Sequence, residues 1–185
     1  MPTLTGTGGS DNMIGSTDDD IINALGGNDQ LSGNDGNDTM DGGSGDDVLT
    51  GGAGIDIMTG GTDVDRFRDT VAGLNGDRIT DFLPGDRIQI TDLDVQTAMI
   101  GITATSITFN GGSVNVDNLG PGRLPIRGIQ GGGVEIRLQQ IAQNDFNGDG
   151  RSDVLWRHDD GSFTTWLAQA GGGFVNNDAN SWHSI

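Results

Sequence analysis

A chain of 185 residues has room for one domain or two small ones; this one carries a formal charge of −18, 34 glycines and no cysteine. Nine arginines are its whole basic complement, which argues against nucleic-acid binding, because phosphate contact needs clustered positive charge; the missing cysteines exclude disulfides and thiolate metal sites. Leu, Ile, Val and Phe make up roughly a quarter of the residues, near the composition at which chains stay disordered, so a folded state needs a stabiliser besides an apolar core.

Acid usage points to that stabiliser. Of the 27 acidic residues only Glu135 is a glutamate. Short carboxylates among glycine-rich turns have the character of ligands rather than of a surface acidified for solubility, and an acidic helix would favour Glu. The opening "MPTLTGTGG" has neither a basic n-region nor an apolar h-region, so no ordinary secretory signal is read there. No apolar run approaches a membrane span.

From Gly6 to Arg68 the chain repeats with a period of nine, giving seven units in register. The sixth position is Asp11, Asp20, Asp29, Asp38, Asp47, Asp56 and Asp65 without exception. The eighth is always large and apolar, from Met13 through Leu31 and Leu49 to Phe67. Glycine holds the fourth position except at Asp18 and Asp63, and Asp tolerates left-handed backbone better than most residues.

This G-G-x-G-x-D-x-U-x phrase resembles the repeats-in-toxin (RTX) nonapeptide, a calcium-binding β-helix repeat. The resemblance implies an all-β parallel roll over residues 1–68, with six residues per turn, three per strand and two units per coil. Glycine permits the tight turn and leaves carbonyls free, while Asp supplies charged oxygen to a hard cation that takes 6 to 8 such ligands. The expected metal ligands are the seven sixth-position aspartates together with Gly33, Gly42, Gly51 and Gly60. Loops stacked every eighteen residues form five pairs, so up to five Ca²⁺ ions are expected in this region. One apolar side chain per half-coil buries too little to hold the stack, and stacked carboxylates without a cation repel one another.

Residues 69–95 resemble the segment that flanks such arrays, with "GDRITDFLPGDRIQI" its most recognisable part. Ile79, Phe82, Ile88 and Ile90 are expected to close the roll. Asp77, Asp81 and Asp86 read equally as further ligands or as solvated turn residues. Residues 96–141 read as strands: "ITATSITFNGGSVNVDNL" alternates on both sides of "NGG", a hairpin signature. "GGGVEIRLQQI" places Val134, Ile136 and Leu138 on one strand face, and Pro121 and Pro125 mark a loop.

In residues 142–185, "DFNGDGRSD" sets Asp145, Asn147, Asp149 and Asp153 at D-x-N-x-D-G-x-x-D spacing, with the carbonyl of Arg151 between them, a loop suited to one more Ca²⁺. Position twelve of an EF-hand, where a bidentate Glu is needed, is Trp156. The run instead resembles an FG-GAP or VCBS repeat, one blade of an integrin-like β-propeller, with Trp156 and Trp166 as blade core. A single blade leaves exposed edges.

No H-E-x-x-H or G-x-S-x-G occurs, and the only histidines are His158 and His183. The expectation is therefore no enzyme activity. The RTX resemblance implies a protein exported by type I secretion and folded by calcium outside the cell, although "NNDANSWHSI" offers no clear C-terminal signal. Met1 stands five residues ahead of the first repeat, from which no preceding catalytic domain is expected. A first coil with no cap is an open edge that invites head-to-tail addition. The reading favoured is a self-assembling structural protein, as filament, surface layer, matrix or adhesin, with a cell-surface or matrix polysaccharide as a further candidate partner. The alternative is a monomeric, calcium-gated accessory or adhesion module.

Overall fold

Position eight of each unit is apolar and its neighbours at seven and nine are mostly polar or β-branched, the pattern of a three-residue strand with one buried residue. The computed structural model describes residues 1–94, 96–103, 105–117, 119, 126–129 and 132–137, and the backbone of three strands between 154 and 176. The chain divides into two compact units, Met1–Gly120 with Leu124–Leu138, and Pro121–Arg123 with Gln139–Ile185.

In the first unit β1 (Thr3–Thr5) precedes the repeats, which form β2 (Asn12–Ile14), β3 (Ile21–Asn23), β4 (Gln30–Asp35), β5 (Thr39–Ser44), β6 (Val48–Ala53), β7 (Ile57–Thr62) and β8 (Arg66–Asp69). Odd strands stack in one parallel sheet and even strands in another. Leu31 pairs with Leu49, and Met40 with Met58, an offset of eighteen residues in both sheets. The strands of the middle coils run six residues, because their backbones stay paired into the glycines of the turn. Eighth-position side chains from Met13 to Phe67 fill the space between the sheets.

Stacking continues through α1 (Val71–Leu74), β9 (Arg78–Ile79) and β10 (Arg87–Ile90). Met58 pairs with Ile79 and Phe67 with Ile88, an offset of twenty-one. The three extra residues all lie between β8 and β9, where Thr70 caps α1 by accepting the Gly73 N–H at 3.1 Å. Leu74, Ile79, Phe82, Ile88 and Ile90 are buried, with the Phe82 ring tilted against Phe67.

The hairpin expected around "NGG" is β12 (Ser106–Phe109) and β13 (Gly112–Val116), preceded by β11 (Gly101–Ile102). β13 runs parallel to β9 and extends the odd sheet. Then β14 (Ile126–Gly128) and β15 (Val134–Arg137) extend the even sheet, β15 antiparallel to β10 and β14 antiparallel to β15. Val134 and Ile136 share the buried face, whereas Leu138 lies outside the described residues.

The second unit contains the antiparallel order β16 (Val154–Arg157), β17 (Phe163–Ala168) and β18 (Phe174–Asn176). The 145–153 loop, His158, His183, Pro121, Pro125 and the side chains of Trp156 and Trp166 lie outside the described residues.

Candidate metal centre

Each sixth-position aspartate is the last residue of a turn, where the chain enters a strand and both its backbone and its side chain face the neighbouring coils. The Asp11 N–H donates to Asp29 Oδ1 at 2.7 Å, Asp29 to Asp47 at 2.8 Å and Asp47 to Asp65 at 3.0 Å. On the other edge Asp20 donates to Asp38, and Asp38 to Asp56, both at 2.8 Å. Both ladders go on past the repeats: the Asp56 N–H reaches Asp77 Oδ1 at 2.9 Å and Asp65 reaches Asp86 at 3.0 Å. Asp77 and Asp86 are thus buried ladder members rather than solvated turn residues. Asp81 has a different role, accepting from the Gly60 and Gly61 N–H groups with one oxygen each.

From Asp29 to Asp77 one oxygen of each ladder carboxylate accepts the N–H of the coil before it and the other is left over, whereas the second oxygen of Asp86 accepts the Leu83 N–H at 2.7 Å. Oδ2 of Asp29, Asp38, Asp47, Asp56, Asp65 and Asp77 is buried without a hydrogen-bond partner. Uncompensated burial of a carboxylate is costly, and the group responds by favouring its neutral form. Burial, with neighbouring carboxylates adding to it against the opposing N–H bond, pushes Asp47 and Asp56 up to about 6. The same causes raise Asp65 and Asp77 to about 7. Burial also raises Asp38 and Asp86.

Glycine opens the room these oxygens face. A Cβ placed on Gly33, Gly42, Gly51 or Gly60 would fall on Oδ2 of Asp38, Asp47, Asp56 or Asp65 in its own turn. The same Cβ on Gly33 would stand 2.5 Å from the Gly51 carbonyl oxygen, and on Gly42 2.7 Å from that of Gly60. Carboxylate and carbonyl oxygens of two successive coils therefore converge beside Gly33 and Gly42. At the equivalent place in the third turn stands Ala24, fully buried.

The first two turns are wired differently. Thr7 gives Asp11 Oδ2 its N–H at 2.7 Å and its hydroxyl at 2.9 Å, and Ser16 does the same for Asp20 at 2.5 and 3.0 Å. Asp20 Oδ1 lacks a donor because the residue below it in the stack is Pro2, which has no N–H. In later turns the second position instead takes a left-handed conformation, from Leu25 (φ 74°) and Asn34 (φ 76°) to Gly43 (φ 97°). The two fourth-position exceptions separate as well: Asp63 has φ 81°, whereas Asp18 is not left-handed.

Sequence reasoning missed a second ladder, one position earlier. The Asn28 N–H donates to Ser10 Oγ, Asp46 to Asn28 Oδ1 and Val64 to Asp46 Oδ1; the other edge carries Asn37 to Asp19 and Ile55 to Asn37. Its signal was present: the fifth position is short and polar in five consecutive units before it ends at Ile55 and Val64.

Among the described residues, no three acidic or histidine side chains converge on one point. The oxygens come instead from carboxylates in successive coils and from backbone carbonyls, a hard, all-oxygen donor set without nitrogen or sulfur. Such a set fits calcium, which accepts many flexible oxygens, and not zinc or copper. The orphaned Oδ2 atoms and the glycine cradles fit the cation that the repeats imply.

A search of curated proteins found no match to this chain. Residues 5–40 and 41–68 match the family model of the RTX calcium-binding nonapeptide repeat. The coils of residues 5–68 thus match RTX calcium-binding repeats and stack as a parallel β-roll.

Proposed function

We propose that this chain is a secreted calcium-binding structural protein whose roll folds only when calcium fills its turns. The observation that carries this reading is the double row of buried Oδ2 atoms from Asp29 to Asp77 with no partner of their own. Below the affinity of the turns these carboxylates oppose stacking; above it, each cation replaces repulsion with coordination. Extracellular calcium modules bind at about 10⁻⁴ to 10⁻³ M, a range that keeps the chain unfolded in a low-calcium cytosol and folds it outside. Proteins with RTX repeats are typically secreted, and type I export of an unfolded chain agrees with that switch.

The ligands proposed for the roll are the open carboxylates of Asp29, Asp38, Asp47, Asp56, Asp65 and Asp77, with carbonyls beside Gly33, Gly42, Gly51 and Gly60. Coil neighbours in which both carboxylates are open number four: Asp29 with Asp47, Asp38 with Asp56, Asp47 with Asp65, and Asp56 with Asp77. Four ions are thus proposed in the roll, with one more at Asp145, Asn147, Asp149, Arg151 and Asp153. Asp11 and Asp20, closed by Thr7 and Ser16, serve the stack rather than the metal.

Assembly is the second part of the proposal. β1 and β2 are the outermost strands at one end of the two sheets, and β11 and β14 at the other. Exposed apolar side chains accompany both ends, Met1 and Ile14 at the first, Met99, Ile102 and Ile126 at the second. Unpaired edges with apolar neighbours favour head-to-tail addition of copies, a contact that does not close. The monomeric accessory module is the competing reading. A calcium titration of the purified chain, followed by far-ultraviolet circular dichroism and sedimentation velocity, separates them: folding with large polymers supports assembly, folding to a stable monomer the accessory module. No β-structure gained up to about 10 mM calcium, well above extracellular affinities, would sink both.

A further inference from the structure

The outer face of the even sheet carries a different chemistry from the turns. Because Phe67, Ile88 and Ile136 point inward, their neighbours on β8, β10 and β15 point out. Arg87 pairs with Arg66 on one side and with Arg137 on the other, so three guanidinium stems stand side by side across adjacent strands. In the next row Arg68 pairs with Gln89, Gln89 with Glu135, and Glu135 with Arg127. Five of the nine arginines of a chain with net charge −18 thus share one face, and Glu135 is its single acidic side chain.

Like charges directly opposite each other on neighbouring strands destabilise a sheet. Glu135 answers only part of this, through Arg137 and a 2.8 Å hydrogen bond from Gln89. Among the described residues Arg66, Arg68, Arg87 and Arg127 form no salt bridge. Moreover, the Nε atoms of Arg66 and Arg87 are buried and have no hydrogen-bond partner. Unsatisfied charged donors are as costly as unsatisfied carboxylates. The odd sheet shows the contrast: its Arg78 is closed by a two-pronged ion pair with Asp117.

We infer that this arginine face binds an acidic polysaccharide, a linear chain bearing sulfate or carboxylate groups among hydroxyls. The shape of the face selects this class. Its strands are three to four residues wide, about 10 Å at the usual rise. Asp63 borders the strip in a turn at one side; at the other, Asp69 ends β8 and Asp92 follows β10. A single thin polyanion lies along the strip clear of those carboxylates, whereas a nucleic-acid duplex brings phosphates over them. Toward β6 and β4 the face continues with Thr50, Ser32 and Gln30, uncharged groups suited to sugar hydroxyls. Guanidinium forks match sulfate and carboxylate two bonds at a time.

The test uses the full chain at saturating calcium and a fluorescent heparin octasaccharide as the probe, read by anisotropy. Expected are binding that weakens with added salt and a loss of about tenfold or more in the double variant R66Q/R87Q, the size of a lost charge-assisted pair. R68Q, an exposed position, lowers affinity by a smaller factor, and R78Q on the opposite sheet leaves it within about twofold. The calcium midpoint of folding, measured on each variant, separates lost binding from lost structure; were the double variant unfolded, R68Q and R127Q carry the same test. Absence of binding, or equal affinity for R78Q and the face variants, overturns the inference. So does equal binding of a short DNA duplex. If polymers of the wild type dissolve in R66Q/R87Q, the face binds a second copy of the chain and the polysaccharide assignment falls. Polymers that persist there leave the end-to-end assembly reading untouched.

Discussion

Turn 6–11 and turn 33–38 obey the same nonapeptide rule and end in the same residue type, yet their carboxylates do opposite things. Asp11 spends Oδ2 on the N–H and hydroxyl of Thr7, while Asp38 holds Oδ2 buried and unpartnered beside Gly33. The difference lies in the second position, where Thr7 and Ser16 close a local side-chain turn that Asn34, Gly43, Gly52 and Gly61 do not. A repeat motif therefore names a place for a ligand, and one neighbouring hydroxyl decides whether the ligand is available. The closed turns lie at the end of the stack and the open ones in its middle, so the proposed reading gives the roll a metal-independent end and a metal-dependent body.

The comparison breaks most severely if calcium does not matter, so the largest expected effect is on chelation. Removing calcium at neutral pH should abolish β-structure in the roll, seen as loss of the far-ultraviolet strand signal; a chelated chain that keeps it would remove the metal-dependent body altogether.

Next in size is Asp56→Ala, which takes away an open carboxylate and the acceptor of the Asp38 N–H. Loss of a buried charged partner costs about 2 kcal/mol, so the calcium midpoint should rise by roughly thirtyfold. Asp47→Ala is expected to match it, and Asp11→Ala to move the midpoint by less than about threefold, since its closed carboxylate is exposed to solvent screening. Equal midpoints for all three would erase the distinction between closed and open turns.

Acid acts on the same groups in a smaller, graded way. The carboxyls of Asp47, Asp56, Asp65 and Asp77 are raised from 3.8 to about 6 or 7 in the metal-free roll, which therefore holds more protons than the unfolded chain between those values. Stability of the metal-free stack is greatest below the unfolded value and is lost as pH rises through 6 to 7. In chelator, strand signal should grow on acidification from pH 7.5 to 4.5. With calcium present the sign reverses for binding, because protons compete with the ion, and the midpoint should rise as pH falls from 7 to 5.

The subtlest change sharpens the comparison. Ser16→Gly removes the hydroxyl that helps close Asp20 and lets residue 16 take the left-handed backbone of Gly43, which turns its N–H away from Oδ2 as in the middle turns. Titration calorimetry should count one more ion than in the wild type, with folding cooperativity otherwise kept. An unchanged count would place the distinction elsewhere than in the second position.

How much was visible beforehand can be told from individual residues. The period of nine sufficed for the parallel stack, the buried eighth position and the ladder of sixth-position aspartates, because stacking equal units puts equal positions in register. The "NGG" hairpin followed from local turn chemistry and is found as β12 and β13. Asp77 and Asp86 were open to two readings, since a helical insertion displaces them by three residues from the period that identifies the others. Folding restores their register by housing the insertion in α1, something a linear pattern does not contain.

By itself, then, the sequence determined the repeat and its hard-oxygen chemistry, both properties of spacing between near neighbours. Only the tertiary structure decided which carboxylates stay open, that the ladders run on to Asp77 and Asp86, and that arginines twenty-one residues apart join Arg137 on one face. The physical reason is that each depends on which backbone N–H, hydroxyl or charge lies one coil or one strand away. That distance is about 4.8 Å in space but eighteen or more residues along the chain.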